Sequence, residues 1–576
     1  MNLPEEEQNF LKLLEKIIGA PIPEVSDLQT YTYGYTIQNN HIDGLGLFSC
    51  KLTAIPEKIN TLSSLKKLLV RGNKLKVIPE ELCFLSALDV LDLSENKLVK
   101  LPKAIYSLYS IKELHLESNR LTLLPDTISS LSSLVLLDMS ENVLEKVPES
   151  IGSLTNLQVL DLSRNKINEL PDSVRNLSSL ELLYLGSNNL TSLPKSIGSL
   201  KNLKRLNLRN NKLESLPETI GNLSSLASLF LHSNNLTILP ETIGNLKNLK
   251  YLGLTENQIS VLPSSIGSLE LLENLSLSSN FLTELPPQIG SLKSLLRLEI
   301  SNNKLRILPE FRNLPFLKIL RIDRNNLETL PESIENLISL EILKVDRNVL
   351  EALPTSIGNL KSLKELDLYD NRLNFLPTSI GNLSALEVLD LSKNNLSSLP
   401  ESIGSLSSLK ELDLSTNKLS KLVITIGSLP LIKNLILGFN KLEEIPESIG
   451  SLETLETLDL GKNILPEVPN SIGSLSSLKR LYLYYNELKA IPDTIGSLKH
   501  LKYLYLGNNK ITKLPDSIGN LKSLKYLFLR TNFITTLPES IESLTSLKYL
   551  NIERNSLIKN IHALDKLEDR EVKVFK

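Results

Sequence analysis

One pattern governs this chain. L-x-x-L-x-L-x-x-N-x-L returns 23 times, almost always 23 residues apart. Its ninth position falls at Cys50, then at Asn73, Asn96 and Asn119, and so on to Asn303; after one 22-residue step it resumes at Asn325 and runs to Asn555. Self-similarity at such a period marks a repeat architecture, in which each unit buries its apolar face only by stacking on its neighbours. In Leu157-Gln158-Val159-Leu160-Asp161-Leu162-Ser163-Arg164-Asn165-Lys166-Ile167, Leu160 and Leu162 alternate with polar or variable neighbours. That period of two predicts a short strand with one buried face, lying parallel to its equivalent in the next repeat.

The rest of the repeat follows from the same logic. Asn165 is placed where the chain turns, and its amide donates twice and accepts once, enough to satisfy backbone groups of its own and the neighbouring turn. Stacked over 22 asparagines this predicts a ladder, with Cys50 as a weak donor only in the first repeat, where one neighbour is missing. The return segment, such as Val147-Pro148-Glu149-Ser150-Ile151-Gly152-Ser153-Leu154, carries Pro at a fixed offset in 21 of 23 repeats. Pro sets an extended φ and needs no donor partner, Ile151 and Leu154 fall into the core, and Gly152 is expected to end a short helical turn. Because the return segment is wider than the strand, the stack should bend with its strands on the concave side. Two repeats depart: Pro309-Glu310-Phe311-Arg312-Asn313-Leu314-Pro315-Phe316 is one residue short, and Val423 replaces the fixed proline. Tolerated drift is the simpler account; the alternative is a local change of curvature.

An open core needs covered ends. Residues Pro4 to Ile18 read as an amphipathic helix with Phe10, Leu14, Ile17 and Ile18 on one face and Gly19 as its stop. Tyr31, Tyr33, Tyr35 and Ile37 alternate before an Asn39-Asn40 turn, which predicts a hairpin whose second strand starts the array. Ala563, Leu564, Leu567, Val572, Val574 and Phe575 supply a smaller cap at the other end. The expected division is an N-terminal cap over 1–43, the repeat array over 44–558 and a C-terminal cap over 559–576.

The bulk numbers mainly exclude. At 576 residues several domains would be usual, yet the unbroken period argues for one elongated array. A net charge of -2, from 63 basic and 65 acidic residues, provides no global field for nucleic acid or an anionic membrane. The start, Met1-Asn2-Leu3-Pro4-Glu5-Glu6-Glu7, lacks the basic and apolar regions of a secretory signal, and no apolar run reaches membrane-spanning length. Cys50 and Cys83 alone make no disulfide framework. A cytoplasmic monomer is expected, with no membrane or nucleic-acid partner.

Chemistry is sparse. Five histidines are scattered at 41, 115, 232, 500 and 562, none at metal-ligand spacing. Neither a phosphate-cradling glycine loop nor a Gly-x-Ser-x-Gly elbow is present. No enzyme activity, cofactor or metal is expected. The informative positions are those six, four, two and one residues before each ladder residue, which face the concave surface. There an acidic stretch includes Asp92, Glu113, Asp138 and Asp161; a more basic zone holds Arg321, Arg324, Lys344 and Arg347, interrupted by Asp323 and Asp346. A second acidic stretch includes Asp367, Asp390 and Asp413. These carboxylates read first as repeat consensus and second as a surface for a basic partner. The last four strands differ. Tyr482, Tyr484, Tyr485, Tyr503, Tyr505, Tyr526, Phe528 and Tyr549 fill eight of sixteen such positions, where an aromatic content of 5% predicts fewer than one. Arg480 and Arg530 lie beside them as candidate anchors. Exposed aromatic clusters are what protein-binding hot spots are made of; cross-strand stacking that stiffens the sheet is the alternative.

The unit Leu216-Pro217-Glu218-Thr219-Ile220-Gly221-Asn222-Leu223, followed by the strand and its asparagine, carries the leucine-rich repeat signature. It resembles the Shoc-type class, the plant Ras-group-related intracellular leucine-rich repeat proteins and many similar prokaryotic arrays. The resemblance covers roughly residues 44–558. It implies an α/β fold, a leucine-rich repeat solenoid curved into a horseshoe or superhelix, with 23 repeats and a concave parallel sheet. It also implies a non-catalytic intracellular scaffold that binds protein partners on that face, in some relatives small GTPases or phosphatase subunits in signalling. The alternative is a host-directed effector or surface adhesin exported by a non-classical route.

Overall fold

The computed structural model describes residues 3–556 and 562–576. Met1, Asn2 and 557–561, and with them the expected boundary between the repeats and the C-terminal cap, lie outside the described residues. The chain divides into two compact units, Met1–Leu282 and Thr283–Lys576. In the first, helix α1 (Glu5–Ile18) and an antiparallel pair, β1 (Tyr33–Gln38) and β2 (His41–Leu47), precede short parallel strands from β3 (Lys67–Leu69) to β12 (Asn274–Ser276). In the second, parallel strands run from β13 (Arg297–Glu299) to β24 (Tyr549–Asn551), followed by α2 (His562–Glu568) and β25 (Lys573–Phe575), which pairs with β24. Both units are leucine-rich repeat solenoid in architecture.

Each strand from β3 onward spans three residues because the alternation lasts no longer before the turn. Register follows the period: Val159 lies opposite Leu182 and Leu160 opposite Leu183. Inward leucines such as Leu160 and Leu162 are buried. The turn is built by a residue in the left-handed region immediately before each ladder asparagine, as at Glu95, Arg164 and Tyr485. The expected ladder forms. Asn165 Nδ2 donates to Leu162 O of its own turn at 3.1 Å and to Met139 O of the preceding repeat at 2.9 Å. Its Oδ1 accepts from Leu144 N at 2.9 Å. At the edge of the array Cys50 Sγ donates to Phe48 O at 3.6 Å.

Return segments are five-residue 3-10 turns such as Glu149–Ser153, and the fixed proline precedes each in extended geometry. The reading of Gly152 as a helix stop is corrected. It lies inside the turn with an ordinary φ, and Leu154 ends it. The requirement is steric: a Cβ on Gly152 would collide with the carbonyl oxygen of Ser173 in the next return segment. Glycine is used here for close approach between neighbouring turns.

The short repeat in the second unit replaces the 3-10 turn with irregular backbone, and Phe311 fills the apolar volume at 1% exposure. Arg312 N and Asn313 N donate to Gly290 O, Phe311 N donates to Ser333 Oγ, and Phe311 O accepts from Asn336 Nδ2. Strand pairing passes through with Arg297 opposite Ile319. Val423 adopts the φ of -72° and ψ of 149° that proline holds elsewhere, so its 3-10 turn survives.

The N-terminal cap is a helix and hairpin as expected, with Asn39 and Asn40 both left-handed in the turn. Its buried face differs in detail. Phe10, Leu11 and Leu14 are buried, whereas Ile17, in the last turn of the helix, is 51% exposed. Glu7 is buried: it accepts from Ile42 N at 2.8 Å and meets His41 Nδ1 at 2.7 Å, joining helix to hairpin.

Candidate binding surface

Side chains six, four and two residues before each ladder residue stand on the open face of the sheet. Aspartate four residues before the asparagine has a local task. Asp138 Oδ1 accepts from Ser140 N at 2.9 Å and from its hydroxyl at 2.7 Å; Asp161 does the same for Ser163, and Asp390 for Ser392. Asp92, Asp367 and Asp413 each accept from the backbone N–H two residues on. These are Asx-type turns, which fix the chain as it leaves the strand. Asp92 is only 3% exposed and is no part of a surface. Burial raises the pKa of Asp161, Asp367 and Asp413 above the usual carboxylate range. The consensus role thus accounts for most of both acidic stretches, while Glu113 stands partly exposed beside His115.

Two residues of the basic zone are paired with acids on neighbouring strands. Lys344 Nζ lies 2.7 Å from Glu365, and Arg321 Nε lies 4.0 Å from Glu299. Asp346 carries the largest perturbation there: burial, with Asp367 and Asp323 nearby, pushes its carboxyl up to about 6.

The last strands give the aspartate position to aromatic rings. On β21 (Arg480–Tyr482), β22 (Tyr503–Tyr505) and β23 (Tyr526–Phe528), Tyr482, Tyr505 and Phe528 stack face to face, with centroids 4.7 and 4.4 Å apart. A second row joins Tyr503 to Tyr526 at 4.9 Å and Tyr526 to Tyr549 at 6.2 Å. Strand spacing is what places them, since parallel in-register strands lie about 4.8 Å apart. The stacks leave ring edges and hydroxyls outward, and burial raises the pKa of Tyr482, Tyr484 and Tyr505, which keeps them neutral. Arg480 lies over Tyr503 at 5.8 Å, while Arg530 Nε is 3.5 Å from Glu553. Tyr484 fills the space over Gly461, where a Cβ would strike its ring. Tyr485 is 52% exposed on the left-handed turn residue, outside both stacks. The structure therefore brings together seven of the eight rings as stacked rows and their margin.

Two aromatic features escaped the sequence reading. Phe575 of β25 continues the row, 4.9 Å from Tyr549; it was assigned to the cap because no repeat register extends there. In the first unit, Phe230 and Tyr251 pack with centroids 4.6 Å apart and rings tilted by 31°, and His232 Nε2 lies 3.0 Å from the Tyr251 hydroxyl. Counting aromatics by repeat position over the whole chain would have found this smaller cluster. Among the described residues no group of three or more His, Cys, Asp or Glu side chains converges as a metal site, and no helix is long and apolar enough to cross a membrane.

The repeat geometry agrees with direct comparison. The leucine rich repeat family model matches residues 63–190, 315–419 and 430–511 in overlapping segments, and a leucine-rich repeat region model matches 180–250, 240–311 and 486–575. The chain belongs to the leucine-rich repeat family. A plant peptide hormone receptor, RGFR1 in complex with RGF2, is 31% identical over 92% of this chain and 89% of that one, with a TM-score of 0.72. A leucine-rich repeat protein of Leptospira interrogans is 32% identical over 77% of this chain and 96% of that one, with a TM-score of 0.50. The Arabidopsis receptor kinase HAESA, with the peptide hormone IDA and the co-receptor SERK1, is 26% identical over 96% and 93%, at a TM-score of 0.62. No curated protein sequence matches.

Proposed function

We propose that this leucine-rich repeat protein is a non-catalytic binding scaffold whose main contact is the stacked aromatic surface of β21 to β24. The observation that carries this reading is the stacking of Tyr482, Tyr505 and Phe528 in three successive strands, at the offset where Asp138, Asp161 and Asp390 serve their own turns. These rings serve no turn, and stacked tyrosines offer large area, hydroxyls and little entropy to lose. RGFR1 and HAESA were solved with peptide hormones, which supports a peptide segment of a protein as the ligand here. Cytoplasmic signalling, with small GTPase or phosphatase partners, is the setting we propose from the Shoc-type resemblance. The receptor ectodomains among the similar structures favour a second setting, display outside the cytoplasm, and cell fractionation separates the two.

The test is two measurements on Tyr505→Ala and Phe528→Ala, namely affinity for a partner captured by the intact chain and melting temperature. Affinity should fall by about 2 kcal/mol or more, the cost of truncating a hot spot. A lowered melt with unchanged affinity would show that the rings only stiffen the sheet.

A further inference from the structure

The first unit carries a second surface of different chemistry. Strands β8 (Leu182–Tyr184), β9 (Arg205–Asn207), β10 (Ser228–Phe230) and β11 (Tyr251–Gly253) lie in register. Their open face, including the positions two residues past each strand, presents Arg205 and Arg209 and no carboxylate at those positions; Glu256, on the turn after β11, accepts from the Ser233 hydroxyl at 2.6 Å. Both guanidinium-bearing side chains are exposed. Among the described residues neither pairs with an acid; Glu181, just before β8, is 2.7 Å from Lys204 instead. Arg205 is held with its guanidinium carbon 5.3 Å from the Phe230 ring centre, an arrangement that leaves its N–H edge available. Arg209 leans over Gly186, and His232 over Gly253, where in each case a Cβ would fall against the overlying side chain. Two glycines at sheet-face positions thus create room that the Arg209 stem and the His232 ring of neighbouring strands fill.

We propose that this surface binds an extended acidic segment of a protein partner, with Arg205 and Arg209 taking carboxylates and Phe230 and Tyr251 supplying the apolar floor. Arginine's planar fork matches a carboxylate bidentately, and desolvation beside rings strengthens the contact. The extent argues against a long polyanion. Three strand spacings give about 14 Å, and Asp161 lies directly opposite Tyr184 on the next strand, with Asp138 one strand further. A nucleic acid following the face would run onto these aspartates, whereas two or three side chains of a peptide fit within the island.

The experiment is fluorescence anisotropy on the full chain with a labelled hexaglutamate peptide, beside hexalysine and Gly-Ser peptides of equal length and an oligothymidylate. Hexaglutamate should bind tightest and lose affinity with added salt. Arg205→Ala with Arg209→Ala should weaken it at least about tenfold, and Arg205→Lys should retain part of it. Replacing both arginines with Glu should transfer the preference to hexalysine. Tyr505→Ala should leave hexaglutamate binding unchanged, so failure of the aromatic surface and failure of this one are distinguishable. Equal binding of hexaglutamate and Gly-Ser peptides, or a double variant within about twofold of the parent, overturns the proposal. Tighter binding of oligothymidylate overturns it in favour of nucleic acid.

Discussion

Asn211 donates to Leu185 O at 2.9 Å and Leu208 O at 3.0 Å, and accepts from Leu190 N at 3.0 Å. All three partners are buried backbone groups that a shorter side chain leaves without water or protein. Asn211→Ala should therefore lower stability by about 1–3 kcal/mol; a thermal melt unchanged by the substitution would refute the ladder argument. This role was legible in the sequence because an amide recurring at one offset has few other uses. The aspartates were harder to read, since a carboxylate before a turn looks alike whether it faces a partner or its own backbone. Asp346 makes a different case, because its pKa is raised by burial and by Asp367 and Asp323 to about 6. A raised pKa means that the folded state holds the proton more tightly than the unfolded chain. The benefit is complete below the unfolded value near 3.8 and is lost as pH rises through about 6. Asp346→Asn should thus raise the melting temperature at pH 7 and have little effect at pH 4. The expected gain is on the order of 1 kcal/mol, because the carboxyl is partly exposed and screened. Equal effects at the two pH values would mean that ionisation of Asp346 costs the fold nothing.

The return segment shows where an element-level reading from sequence stops. Proline, isoleucine and leucine at fixed offsets were enough to place a short helical turn and its buried face. The glycine was misread because its constraint comes from the next repeat and not from its own backbone angles. Gly221 sits within van der Waals reach of Thr242 in the following return segment, and an added Cβ would overlap the Thr242 carbonyl oxygen. At this non-positive φ, alanine would normally help a helical turn. Here Gly221→Ala should destabilise by roughly 1–3 kcal/mol, the cost typical of overpacking. If instead the melt rises, the close approach relaxes freely and glycine is there by drift. The irregular repeat follows the same principle in reverse: Phe311 and the bonds to Gly290 O replace a lost turn with side-chain volume and backbone pairing.

At the scale of the whole molecule the period made the fold class readable, and the aromatic rows were found by asking which positions break it. The arginine island stayed hidden, because two exposed arginines in a chain of 63 basic residues draw no notice until strand pairing places Arg205 over Phe230 with Arg209 further along the same face. A stack in which each repeat touches mainly its neighbours also transmits damage in a particular way. Stability is approximately a sum of repeat and interface terms, so a lesion at one end should fray that end first. Phe10 is 1% exposed and packs in the cap that covers the first strands, and Glu7 ties the same helix to Ile42. Phe10→Ala should cost about 3–5 kcal/mol, and so release the cap and the repeats nearest it. Hydrogen exchange measured by mass spectrometry should then show lost protection over β1 to β3 and protection like that of the parent protein over Tyr482 to Tyr549. Uniform loss of protection along all 576 residues would show a cooperative unit far larger than nearest-neighbour coupling allows.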